Sequence, residues 1–188
     1  MAFQYPVFLD LTGVPVLVVG GGVIAFRKTG GLADAGAVVT VVAPAVVPEL
    51  EALASRVERR EYLADDLHGQ RLVITATDDP AVNAQVANDA RAAGIWANSA
   101  DDPQNCSFIL PAVARRGLVT VAVSTGGASP ALASHLRTVI ARDVLTERVE
   151  AAAVELSRQR AEIHAAGGST ELVEWGDRVR DALGEPPR

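Results

Sequence analysis

The residues best suited to chemistry begin at a glycine turn. A continuous apolar run over residues 16–19 leads into Gly20-Gly21-Gly22, with the spacing Gly20-x-Gly22-x-x-Ala25. Glycines there let a backbone approach a pyrophosphate, and the N–H groups and dipole of the helix that follows favour an anion. Gly20, Gly21 and Gly22 are therefore expected to bind a dinucleotide. In NAD-binding units an acidic residue closes the second strand and bonds the ribose hydroxyls. Ala43-Pro44 stand at that position and no arginine replaces the acid. The residues thus leave NAD and NADP open, with a mononucleotide or flavin site as the rival.

Two further strand ends carry polar residues, Thr75-Ala76-Thr77-Asp78-Asp79 and Asn98-Ser99-Ala100-Asp101-Asp102-Pro103. Open α/β sheets bind ligands at the carboxyl ends of strands, which makes Thr75, Ala76, Thr77 and Asn98 candidate cofactor contacts. Asp79 reads as a helix cap ahead of Pro80. A carboxylate at Asp101 is placed to accept a proton while hydride leaves a substrate. Asp-Asp-Pro is also ordinary turn chemistry, and on the residues alone the turn reading is preferred. Lys28, Arg115, Arg116, Arg137 and Arg142 are the cations considered for an acidic substrate. His68, His135 and His164 are scattered without metal-ligand spacing, and nothing around Cys106 suggests an activated thiolate, so no metal site is expected.

These residues need a scaffold, and the pattern supplies one. Helices are expected over 24–35, 49–55 and 80–93, and strands over 16–19, 38–42, 57–62, 72–76 and 95–98. Strands alternating with helices give a doubly wound parallel sheet. Residues 5–9 read as an edge strand or an arm. The alternation breaks near Pro111, where strands over 108–110 and 118–123 are joined through Arg115-Arg116-Gly117. A second glycine turn, residues 124–128, precedes Ser129-Pro130 and a helix carrying Leu132, Leu136, Val139, Ile140 and Val144. Helices over 147–164 and 172–183 follow.

Composition narrows the classes. Charged residues make up 21% and apolar residues 49% of the 188, which suits a folded protein. The net charge of −6, with no run of Lys or Arg, weighs against nucleic acid as a main partner. One cysteine gives no disulfide framework. No leader-like start and no apolar stretch of membrane length occur, so a soluble cytoplasmic protein is expected.

Several stretches together resemble a known family: GGGVIAFRK, TATDDPAVN, NSADDP, SFILP and AVSTGGASPALASHLR, in this order. They are similar to the precorrin-2 dehydrogenase/sirohydrochlorin ferrochelatase family, which also forms the N-terminal part of siroheme synthases. The match covers about residues 5–145; beyond that only helical character is shared. The resemblance implies a Rossmann-like NAD-binding domain over 1–111, a small α+β dimerisation region over 112–146 and a helical domain over 147–188, in a homodimer. It implies NAD-dependent oxidation of precorrin-2 to sirohydrochlorin and, in some members, insertion of ferrous iron as a second substrate. The family's catalytic aspartate falls on Asp101. Its NAD contacts fall on Gly21, Gly22, Val23 and Ile24, and on Pro44 and Ala45 beside Ala43, so the missing acid matches the family's own pattern. The carboxylates of the tetrapyrrole are expected on Lys28, Arg115, Arg116 and Arg137 and on the turn Thr125, Gly126, Gly127 and Ala128. Thr125 departs from a serine that some members phosphorylate. With no methyltransferase domain following, the preceding methylation is expected from another protein. The rival class is a non-catalytic module that senses a dinucleotide.

Overall fold

Successive residues of the first apolar run point to opposite faces of a sheet, and both faces are covered. Val16 and Val18 pack with Val39, Val41, Leu50 and Ile74 on one side, and Leu17 and Val19 pack with Val42, Val73, Val86 and Ala90 on the other. Each buried Val, Leu or Ile side chain among them stabilises the fold by about 1.5–3 kcal/mol. The computed structural model describes residues 5–100 and 102–186. It divides into two compact units, Met1–Leu110 and Pro111–Arg188.

In the first unit the order is β1 (Pro15–Val19), α1 (Val23–Asp34), β2 (Val38–Val42), α2 (Pro48–Glu51), β3 (Arg56–Glu58), β4 (Leu72–Thr75), α3 (Pro80–Ala92) and β5 (Trp96–Ser99). The strands are all parallel in the order β3-β2-β1-β4-β5, a Rossmann-like sheet. Strand order reverses between β1 and β4, the switch point at which such sheets open a crevice for ligands. Asp79 caps α3, its carboxylate accepting from the Ala81 N–H at 2.8 Å, with Pro80 at the first helical position. The expected helix over 49–55 is a single turn and the expected strand over 57–62 ends at Glu58. A 3-10 helix, Ala64–Leu67, follows instead, buttoned by Arg60 and Asp66. Residues 5–9 form no strand, and Tyr5 and Phe8 are exposed.

In the second unit β6 (Ala112–Arg116) and β7 (Val119–Val123) form an antiparallel hairpin, followed by α4 (Pro130–Asp143), α5 (Glu147–Ala165) and α6 (Trp175–Leu183). The strand expected over 108–110 lies instead at Ala112–Arg116, so Arg115 and Arg116 are strand residues. Gly117 takes φ +52° in the two-residue loop, a left-handed value that favours glycine. Helix α4 packs on the hairpin and α6 on α5. Ser129 caps α4 and Thr146 caps α5. The apolar core here is small, with Ala114, Ala133, Leu145 and Ala152 buried while Leu118, Leu132 and Leu136 stay exposed. Among the described residues no helix is long and apolar enough to cross a membrane.

Candidate functional site

The three glycines after β1 have three different surroundings. Gly20 takes φ +121°, and a Cβ on it would lie 2.3 Å from the Ala76 carbonyl oxygen at the end of β4. A Cβ on Gly21 would lie 1.8 Å from the Ala45 carbonyl oxygen, where the chain leaves β2. These two positions are glycine because three strand ends converge on them. Hydrogen bonds tie the turn to the β2 end as well: the Gly20 N–H donates to Val42 O at 3.0 Å and the Val47 N–H to Gly21 O at 2.9 Å. Gly22 is different. A Cβ there meets nothing within 4 Å, and its backbone is extended, so the protein itself does not demand glycine. It precedes α1, which no side chain caps and whose first turn holds no acidic residue, whereas side chains cap α3, α4 and α5. The first N–H groups of a 12-residue helix are thus offered to an outside acceptor across an open space the width of a missing side chain. Ala25, the third small position, is fully buried against the sheet. Val23 and Ile24 remain about half exposed beside the turn, an apolar surface suited to a ring. A dinucleotide pyrophosphate fits this cradle on size, charge and hydrogen-bonding chemistry.

Ala43 is buried, and Pro44 and Ala45 line the β2 end without a carboxylate. Thr75 is buried and its hydroxyl donates to Asn83 Oδ1. The same oxygen accepts the Thr77 N–H at 3.1 Å and lies 2.8 Å from the Thr77 hydroxyl, while Asn83 Nδ2 donates to Thr77 O at 3.0 Å. The Thr75 side chain is therefore spent on positioning, and the Ala76 carbonyl is set against Gly20. Asn83 was not anticipated as a site residue. Its signal was its place four residues after Asp79 in TATDDPAVN: a side chain one turn into a helix leans back toward the N-terminus.

Asp101 lies outside the described residues. Its neighbours are fixed. The Ala100 N–H donates to Thr75 O at 2.9 Å, and Asn98, buried at the end of β5, accepts Lys28 Nζ at 3.0 Å. Lys28, one turn into α1, is half-buried.

In the second unit Arg115 is exposed and Arg137 partly buried. Arg116 is engaged at home: Nε donates to Glu150 Oε2 at 3.0 Å, another nitrogen lies 3.4 Å from Glu147 Oε1, and Nη1 donates to Leu145 O at 3.4 Å. The second glycine turn differs from the first. The Gly126 N–H donates to Ser124 Oγ at 3.1 Å and the Ala128 N–H to Thr125 O at 3.1 Å. Thr125 Oγ1 donates to Ser129 O and accepts the Ser129 N–H, each at 3.0 Å, and Ser129 Oγ in turn accepts the Leu132 N–H. The Gly126 and Ala128 N–H groups are thus engaged within the turn.

Away from these sites, the Arg60 guanidinium holds the Asp66 carboxyl below the usual carboxylate range. Burial, reinforced by a hydrogen bond to Asp89, pushes the Tyr62 hydroxyl up. Among the described residues no three His, Cys, Asp or Glu side chains converge as a metal site would require.

Comparison with known proteins adds what geometry alone does not. A family described as putative NAD(P)-binding matches residues 7–112, and the central family of sirohaem biosynthesis proteins matches residues 116–142. A siroheme synthase of Methylococcus capsulatus is 52% identical over 139 residues, covering 72% of this chain and 29% of that protein. Siroheme synthase 1 of Aeromonas salmonicida is 43% identical over 187 residues, covering 96% of this chain and 40% of that protein. The chain thus spans less than half the length of these curated relatives. A solved structure described as SirC, precorrin-2 dehydrogenase, superposes with a TM-score of 0.72 at 30% identity, covering 96% of this chain and 98% of that one. The chain belongs to the siroheme-biosynthesis family that these precorrin-2 dehydrogenase and siroheme synthase relatives represent.

Proposed function

We propose that this chain oxidises precorrin-2 to sirohydrochlorin with NAD as the oxidant, as a cytoplasmic homodimer organised as domains over 1–111, 112–146 and 147–188. The observation that carries the reading is the uncapped start of α1 behind Gly22, in a chain whose relatives include a precorrin-2 dehydrogenase. Gly20 and Gly21 hold the turn in shape, while Gly22, Val23 and Ile24 would hold the pyrophosphate and its neighbouring rings. Ala43, Pro44 and Ala45 would take the ribose, and Thr75, Ala76 and Thr77 would close the crevice at the switch point. NAD supplies a hydride acceptor when bound. The Asp101 carboxylate accepts the proton that the substrate releases, so the substrate loses a hydride and a proton and gains one double bond. Arg115 and Arg137 contribute positive charge toward the substrate carboxylates. The internal pairing of Arg116 suits an anchor between the hairpin and α5. The exposed Leu118, Leu132 and Leu136, beside a small core, are the apolar surface that a second copy covers.

The test is an anaerobic assay of precorrin-2 with NAD, with Asp101→Asn as the control. Turnover lost in the variant with NAD affinity unchanged supports the assignment; full activity removes Asp101 from the mechanism. NAD binding without consumption of precorrin-2 favours the sensing module. Sirohydrochlorin with ferrous ion and no NAD tests iron insertion in the same chain, and an unchanged spectrum limits it to dehydrogenation.

A further inference from the structure

We infer that Asn98 is a positioning residue, clamping the helix that starts at the glycine turn to the loop bearing position 101, rather than a ligand to the dinucleotide. The inference rests on the proposed function and deepens it. Asn98 is 4% exposed. Its Oδ1 accepts Lys28 Nζ on α1 at 3.0 Å, and its Nδ2 donates to Phe108 O at 2.9 Å and lies 3.6 Å from Cys106 Sγ. The amide orientation follows from chemistry, because an ammonium only donates and a carbonyl only accepts. Both amide hydrogens are therefore spent inside the protein, and neither is left for a ligand.

Cys106 carries the connection to the loop. Its sulfur accepts the Ser99 N–H at 3.2 Å and lies 3.3 Å from the carbonyl oxygens of Ser99 and Asp102, on either side of position 101 in the chain. The single S–H donates to one of them. Ser107 closes the base of the loop: its hydroxyl accepts the Ala97 N–H at 2.7 Å and its own N–H donates to Ala97 O at 2.8 Å. Strand β5 is the edge of the sheet, and on its outer side the Ser107 segment and the Cys106 thiol take the hydrogen bonds that a neighbouring strand would take. The loop is thereby fastened at both ends, and through Asn98 and Lys28 to α1. A proton acceptor works only when held close to its target, so loosening this fastening costs turnover before it costs cofactor binding.

The experiment uses the full chain with Asn98→Ala, Cys106→Ala and Cys106→Ser. It measures kcat, NAD affinity by calorimetry without substrate, and amide hydrogen exchange across residues 97–107. The expected result is a kcat lower by about 10²-fold in Asn98→Ala, the scale of a misplacement of about 1 Å, with NAD affinity unchanged. Exchange at the Ser99 amide rises in Cys106→Ala and is restored in Cys106→Ser. Loss of NAD affinity in Asn98→Ala with kcat unchanged makes Asn98 a ligand and overturns the inference, as does wild-type kcat in both alanine variants. Should Asn98→Ala fail to fold, the Cys106 pair decides alone. Full activity in Asp101→Asn refutes the base assignment separately, since the exchange readout does not depend on it.

Discussion

Three adjacent glycines should respond to the same added methyl group in three ways. In Gly22→Ala the backbone stays extended and the new Cβ meets no protein atom within 4 Å, so folding stability should hold or rise by about 0.4–1 kcal/mol. The methyl instead occupies the space where a pyrophosphate approaches the first N–H groups of α1. Loss of one hydrogen bond to a charged acceptor costs about 2 kcal/mol, or roughly thirtyfold in affinity. In Gly20→Ala the φ of +121° alone costs about 1–3 kcal/mol, and the Ala76 carbonyl at 2.3 Å must also move. Gly21→Ala meets the Ala45 carbonyl at 1.8 Å and should destabilise by a similar amount, about 3 kcal/mol. Urea unfolding and calorimetric titration with NAD separate the two effects. Wild-type NAD affinity in Gly22→Ala, or wild-type stability in Gly20→Ala, would refute this division of labour.

Asn83→Ala strips the Thr75 hydroxyl and the Thr77 N–H of their common acceptor and should cost about 2–3 kcal/mol in urea unfolding; a loss below about 0.5 kcal/mol would demote Asn83 to a surface-like role. Asp66, held below its ordinary value of 3.8, contributes stability that is present above that value and lost as pH falls through the folded one. Asp66→Asn should flatten the acid limb of a Tm-versus-pH curve, and an unchanged limb refutes the contribution. Tyr62 is raised above its ordinary value of 10.0, so its contribution is complete below that value and fades as pH rises through the folded one. Tyr62→Phe should remove that alkaline loss, which spectrophotometric titration and thermal melts together check.

Much of the first unit was legible because its signals are local. The apolar runs of β1 and β2, the Asp79-Pro80 start of α3 and the uncapped glycine turn each declare themselves within a few residues. What was not legible depends on distant partners. The apolar stretch 108–110 has the composition of a strand, yet Asn98 takes the Phe108 carbonyl and Phe108 packs on the sheet core, while pairing begins after Pro111. Arg115 and Arg116 read as turn residues until Arg116 is seen paired with α5. Cys106 gave no sign of its role as a fastener, since three of its four partners are backbone atoms that composition cannot reveal. The second glycine turn shares its glycines with the first, but its Gly126 and Ala128 N–H groups bond to Ser124 and Thr125, and Ser129 caps the helix that follows.

The most direct test of the account is the stoichiometry of a single anaerobic turnover, with precorrin-2 and NAD mixed with the full chain and both products followed by absorbance. NADH and sirohydrochlorin should appear in equal amounts at the same rate. Sirohydrochlorin without matching NADH, or no oxidation despite demonstrated NAD binding, would contradict it.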